Sequence, residues 1–240
     1  MSEWAPKRFW KSAETTPTDD GFGVLLDGRP VRTPAKALLS VPTEAVADRI
    51  AGEFDAQNDR IDPTTMPFTR TANAAIDKVA IQHAEVADLL AAYGDSDLLC
   101  YRAHEPDELV ARQAEQWDPL LDWAADALGV RLEPRTGVMH APQDPASLAI
   151  LSQKVHAMTA FELAAFHDLV AISGSLVIGF AAKFQARSAS DLWIVSRLDE
   201  LWQEEQWGKD EEAQELVAYK QAAFFHADAF MRLIDGHSSR

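Results

Sequence analysis

Residues 22–33 read Phe22-Gly23-Val24-Leu25-Leu26-Asp27-Gly28-Arg29-Pro30-Val31-Arg32-Thr33. Two short apolar or β-branched runs flank Asp27-Gly28, a pair that accepts the positive φ of a tight turn, so the stretch predicts a β-hairpin. Outward from it, Arg8-Phe9-Trp10-Lys11 and Leu38-Leu39-Ser40-Val41 can supply further strands. Thr43 then offers an N-cap for a helix carrying Val46, Ile50 and Phe54 at i, i+4 and i+8 on one face. Seven of the twelve prolines lie within residues 1–67 and none follows Pro145, which leaves 95 residues free of the strongest helix breaker. The expected fold class is α+β. A small mixed α/β N-terminal domain with an antiparallel sheet spans residues 1–94, and a larger all-helical domain spans residues 95–240.

Further along, Thr69–Val79 and Glu85–Tyr93 read as helices, with Gly94 ending the second. Asp97–Arg102 is short and reads as extended. A long helix is expected over Asp107–Leu128, kinked or interrupted at Pro119. Pro134–Pro145 reads as an ordered loop or a pair of short strands. Four helices follow, over Ala146–Met158, Phe161–Ala186, Ser190–Trp207 and Asp210–Ile234. No internal repeat or low-complexity tract interrupts them.

With 240 residues, 47% of them apolar, a chain of this size buries roughly 70–75% of its unfolded surface and needs no staple. Cys100 is the single cysteine, which excludes an internal disulfide framework and suits a reducing compartment. The start, Met1–Pro6, carries an early acid and no apolar run, so neither a secretory signal nor a transit peptide is expected, and the location expected is the cytoplasm. The most apolar window, Leu169–Ala182, is 14 residues long, too short to span a bilayer, and membrane insertion is not expected. A net charge of −16 repels nucleic acid and anionic membranes and favours a partner with basic or apolar surface.

Most catalytic templates fail on spacing. The chain has neither of the Gly-rich phosphate loops and no H-E-x-x-H, and no nucleophile elbow surrounds Ser173-Gly174-Ser175. Ala171, Ser175 and Gly179 recur at helical spacing, which reads as a small-residue stripe for close helix packing. Cys100 and His104 would stand about 13 Å apart along a strand, too far for a thiolate pair. His167-Asp168 reads as a helix-end or core pair rather than an acid/base dyad.

The stretch from Arg197 to Glu215 holds eight carboxylates and two tryptophans beside only Arg197 and Lys209. Crowded like charges repel and exposed indoles favour association, so the segment reads as a surface awaiting a partner or, more blandly, as a solvated acidic face over a tryptophan-filled core. Helical spacing puts Ile194, Leu198 and Leu201 on one buried stripe and turns Asp199 and Glu200 to solvent. Charge reversal at both acids should then leave stability within about 1 kcal/mol.

Several blocks occur in a recognisable order. They are Arg8-Phe9-Trp10-Lys11, Gly28–Pro34, Phe54-Asp55-Ala56-Gln57, Ile61-Asp62-Pro63 with Met66-Pro67, and Thr69-Arg70 with Ala72-Asn73 and Ile76-Asp77. Asp97–Ala103, Gln113 with Trp117–Leu120, Ser173-Gly174-Ser175, and Leu198-Asp199-Glu200 with Gln203 and Trp207-Gly208 complete the series. The succession resembles the F1-ATPase assembly chaperones of mitochondria and alpha-proteobacteria that handle the alpha subunit, along nearly the whole chain. The resemblance implies a non-enzymatic two-domain chaperone; the missing phosphate loops predict that it works without ATP, no cofactor or metal is expected, and a monomer is expected when free. It would bind the F1-ATPase alpha subunit until the beta subunit replaces it, in the bacterial cytoplasm or, in relatives, the mitochondrial matrix. The family's acidic functional element is best matched by Asp199, and Glu200, Glu204, Trp207 and Phe54 complete the client-binding candidates. Relatives usually carry Trp at the position of Phe54, which keeps an aromatic anchor but no indole N–H. A regulatory adaptor for another protein, or an enzyme using Asp168, Asp199 or Glu200, are the alternatives.

Overall fold

The computed structural model describes residues 7–137, 139–208 and 210–236, with the side chains of all but residues 211–213. The reading of Met1–Pro6 and the side chains of Lys209, Glu211 and Glu212 in the acidic stretch lie outside the described residues. Strands β1 (Ala13–Thr18) and β2 (Gly21–Leu26) pair antiparallel along their full length, Ala13 opposite Leu26 and Thr18 opposite Gly21. Two short strands, β3 (Arg29–Pro30) and β4 (Ser40–Val41), pair with successive parts of β2 to complete a four-stranded sheet. Between β2 and β3, Asp27 and Gly28 adopt φ of 49° and 76°, the double positive φ of the hairpin turn expected there. The Asp27 carboxylate accepts the backbone N–H of Ser12 and Lys11, each at 3.0 Å, and these bonds hold its pKa below the usual value.

One strand was not expected, and one strand expectation needs correction. Strand β1, polar and containing Pro17, lacked the alternation that marks a strand, and it is tolerated as one because it lies at the sheet edge. Arg8–Lys11 forms no named strand. Lys7 makes an isolated bridge with Arg60, and the Arg8 guanidinium instead donates to the carbonyls of Asp55 and Gln57.

Helix α1 (Glu44–Asp55) starts as expected: Thr43 Oγ1 accepts the N–H of Val46 at 3.4 Å, and Val46, Ile50 and Phe54 are buried. Thr43 Oγ1 also donates to the Leu233 carbonyl at 2.9 Å. Helix α2 (Pro67–Ala74) runs into a π-helical turn over Ala75–Val79. Its first N–H groups, of Phe68 and Thr69, are taken by the Glu53 carboxylate at 2.6 and 2.8 Å. Helix α3 (His83–Ala91) passes into a 3₁₀ turn, Ala92–Ser96, so Gly94 does not end the helix as expected. Gly94 is buried, and a Cβ there would meet the side chains of Leu151, Leu148 and Leu176 at 3.1–3.4 Å, so its role is close packing.

Asp97–Arg102 splits into a 3₁₀ turn, Leu98–Cys100, and strand β5 (Tyr101–Arg102). Helix α4 (Asp107–Leu128) continues past Pro119 and ends at Gly129 in the left-handed region. Strand β6 (Arg135–Thr136) pairs parallel with β5. The remaining helices are α5 (Pro145–His156), α6 (Ala160–Ser173), α7 (Leu176–Lys183), α8 (Ala189–Ser196), α9 (Leu198–Trp207) and α10 (Glu211–Ile234).

Two of the helices expected as single pieces are therefore broken. At Gly174, φ is 70° and Ser175 caps α7 by accepting the Ile178 N–H at 3.0 Å, so Ala171 and Gly179 lie on different helices. Gly179 still serves close packing, because a Cβ there would sit 2.6 Å from Val170 Cγ2 and 3.0 Å from the Phe166 ring. Gly179→Ala should accordingly cost about 1–3 kcal/mol, read as a lower urea midpoint at unchanged m-value. A variant as stable as the parent would show that the α6–α7 contact can yield. The second break falls at Arg197, with φ −113° and ψ 22°.

The chain forms two compact units. One gathers the described residues up to His83 with Thr159–Ala165 and the described chain from Ala229, and its core includes the tilted contact of Phe68 with Phe230 at 5.8 Å. The other comprises Ala84–Met158 and Phe166–Asp228 and is helical apart from the β5–β6 pair. Among the described residues no helix is long and apolar enough to cross a membrane.

Candidate functional site

The break at Arg197 turns the chain from α8 into α9 and exposes Ile194, which is 55% accessible rather than part of the expected buried stripe. Leu198 is the buried residue of α9. A set of polar contacts joins the helix to α4. Gln113 Nε2 donates to Asp199 Oδ1 at 2.7 Å, Arg112 Nη1 donates to both carboxylate oxygens of Glu205 at 2.8 Å, and the Arg112 guanidinium lies 4.7 Å from the Trp202 ring centroid. Just before the break, the buried Trp117 indole donates to the Val195 carbonyl at 3.0 Å, supplying a partner to the end of α8. Arg197 stacks over Trp193 at 5.5 Å and pairs with Glu204 at 2.9 Å.

Beside α9 lies a groove of about 600 Å³, lined along one side by α9 residues and along the other by residues of α10, with the α6–α7 break as part of its floor. Ile172, Gly174 and Trp193 contribute to the floor. Trp207, 79% exposed, and Leu216, 56% exposed, present apolar surface, and the exposed carboxylate of Glu200 adds negative charge. A cleft with projecting aromatic and aliphatic groups and an acidic rim suits an apolar segment that also carries basic residues.

The five residues singled out in the sequence separate in the structure. Glu200, Glu204 and Trp207 come together along the groove. Glu204 is only 18% exposed and is engaged by Arg197. Asp199, expected in solvent, is half-buried against Gln113, because the break at Arg197 rotates α9 relative to a continuous helix. Phe54 is 8% exposed in the sheet-containing unit, packed edge-on to Trp10 at 5.4 Å. Sequence reasoning missed Leu216 and Lys220 on α10 and Ile172 on α6 as groove residues. An exposed leucine close after an acidic run was the available signal for the first.

The other candidates stay apart. Burial, with the Asp97 charge adding to it, pushes the Cys100 thiol up to about 12, which leaves it unreactive. His167 and Asp168 pair at 3.0 Å, and the hydrogen bond that the ring makes to the Asp168 carboxylate raises the imidazole pKa. Among the described residues no group of three or more His, Cys, Asp or Glu is arranged to hold a metal ion.

Residues 7–125 match the family described as ATP12 chaperone protein. The crystal structure of Atp12 from Paracoccus denitrificans is 46% identical, covers 97% of this chain and 100% of its own, and superposes with a TM-score of 0.93. An aspartate-to-lysine mutant of that protein, at the same identity and coverage, gives 0.94. The mitochondrial protein atp12 of Schizosaccharomyces pombe is 24% identical over 222 residues, covering 88% of this chain and 76% of its own. A relative this similar along almost the entire length, with the family pattern over residues 7–125, places the chain in the ATP12 chaperone family, to which it belongs.

Proposed function

We propose that the chain is a non-enzymatic F1-ATPase assembly chaperone that holds the unassembled alpha subunit in the α9–α10 groove and keeps it from aggregating until the beta subunit takes its place. Family membership supports the assembly role. The observation that carries the site is the exposed Trp207 indole beside Leu216 and the Glu200 carboxylate in a groove of about 600 Å³. A subunit awaiting its neighbours exposes apolar surface rimmed by charge. A tryptophan anchor covers the first, and an acidic rim in a chain of net charge −16 steers toward basic groups. The free chaperone acts as a monomer in the bacterial cytoplasm and uses no ATP.

The test is light scattering of purified alpha subunit with and without chaperone. An anchor of this kind is worth about 2 kcal/mol or more, so Trp207→Ala should weaken capture roughly 30-fold or more. Glu200→Lys should slow association, with the defect shrinking as salt is raised. Both side chains are exposed and both variants should melt close to the parent. Full protection by Trp207→Ala at limiting chaperone would remove the groove from the mechanism.

A further inference from the structure

We infer that Asp199 is a positioning residue, which supports client capture by fixing α9 on α4 through Gln113 and does not itself touch the client. The inference rests on the groove reading above. Gln113 is 1% exposed and both ends of its amide are committed. Its Oε1 accepts the Ala103 N–H at 2.8 Å, which fixes the orientation of the amide and leaves Nε2 to donate to Asp199 Oδ1 at 2.7 Å. The position opposite Gln113 must therefore be an acceptor. One turn and two turns on, Trp202 and Glu205 repeat the arrangement, both engaged by Arg112. Leu198 is the one fully buried side chain of this ten-residue helix, with Leu201 and Trp202 half-buried beside it, and the polar stripe fixes how the helix lies against α4. Glu200, Glu204 and Trp207 ride on the same helix toward the groove, so their placement follows from the stripe. Adjacent acids thus have different tasks: Glu200 faces outward, and Asp199 holds the helix.

A lysine at 199 would aim an ammonium donor at the Gln113 Nε2 donor and leave a buried amide unsatisfied, whereas asparagine retains an acceptor. Polarity can also be exchanged. In the double variant Gln113→Glu with Asp199→Lys, one carboxylate oxygen still accepts from Ala103 and the other meets the lysine. Hydrogen exchange of the α9 amides, measured on the free chaperone, reads helix docking without any client, and scattering of alpha subunit reads capture. Asp199→Lys is expected to raise α9 exchange and weaken capture by about tenfold or more, while Asp199→Asn stays near the parent and the double variant recovers both. Gln113→Glu alone, which keeps Asp199, is expected to lose capture as well.

Capture that stays full in Gln113→Glu, or a defect in Asp199→Lys that the double variant does not repair while α9 exchange is normal, would overturn the inference and assign Asp199 to the client. Failure of the groove reading is separate: Trp207→Ala would then protect fully. The exchange measurements would still report whether Asp199 seats α9.

Discussion

Trp117→Ala should remove about 3–5 kcal/mol of stability, the cost of deleting a large, fully buried aromatic side chain. Trp117 is 0% exposed on α4, its Nε1 donates to the Val195 carbonyl at 3.0 Å, and the Arg102 guanidinium covers its ring at 5.2 Å while pairing with Asp118 at 2.8 Å. Alanine would leave a cavity and an orphaned carbonyl at the end of α8. Trp117→Phe separates the two effects, because it keeps most of the volume and loses only the hydrogen bond, for about 1–3 kcal/mol. Urea unfolding by far-ultraviolet circular dichroism gives both values. Alanine and phenylalanine variants of equal stability would mean that volume at this position matters little. Because Val195 lies two residues before the break at Arg197, both substitutions should also loosen the wall of the groove, and client capture should fall in the same order as stability.

What could be read along the chain was local. Asp27-Gly28 between apolar runs, Thr43 before an amphipathic pattern and a long stretch without proline are signals that neighbouring residues supply, and the β2–β3 turn, the start of α1 and the helical last third follow from them. Strand β1 was not legible because its pairing energy comes from β2, not from alternation within its own polar residues. Continuous helical periodicity across residues 161–186 and 190–207 hid the breaks at Gly174 and Arg197. There, tertiary partners compensate the interrupted helices: Asp97 for the start of α7 and Trp117 for the end of α8. A linear division of the chain also has no means of assigning Thr159–Ala165 and the chain from Ala229 to the unit that holds the sheet.

For the site, charge density and tryptophan content pointed to a segment that lines one side of the groove. The facing of its acids depended on the break, so Asp199 read as solvent-exposed when it is engaged by Gln113. The expectation that reversing Asp199 and Glu200 together leaves stability nearly unchanged is kept only for Glu200, whose side chain is exposed. At Asp199 a buried amide loses its acceptor.

Asp97 carries the second large effect, and it depends on pH. Its carboxylate is 0% exposed and lies between the Leu98–Cys100 turn and the start of α7, with Oδ1 accepting the Leu99 N–H and Oδ2 the Val177 N–H, each at 3.0 Å. Burial outweighs these bonds and raises its pKa from 3.8 to about 6. Below pH 3.8 the group is protonated in both folded and unfolded chains, and above pH 6 it is ionised in both, so at neutral pH the folded state bears the cost of a buried charge. Between those limits the folded chain holds the proton that the unfolded chain has released, so stability from this group rises as pH falls. A gap of about 2 pKa units corresponds to about 2 kcal/mol between pH 7 and pH 4. Asp97→Asn cannot titrate, and its amide offers one acceptor where two N–H groups point, so the variant should be destabilised and should lack this slope. Comparing the variant with the parent isolates the contribution of position 97. Urea unfolding of parent and variant at pH 7, 6 and 5 should therefore show the parent's advantage widening with acidity, whereas parallel profiles would mean that Asp97 titrates in the folded chain as it does in water.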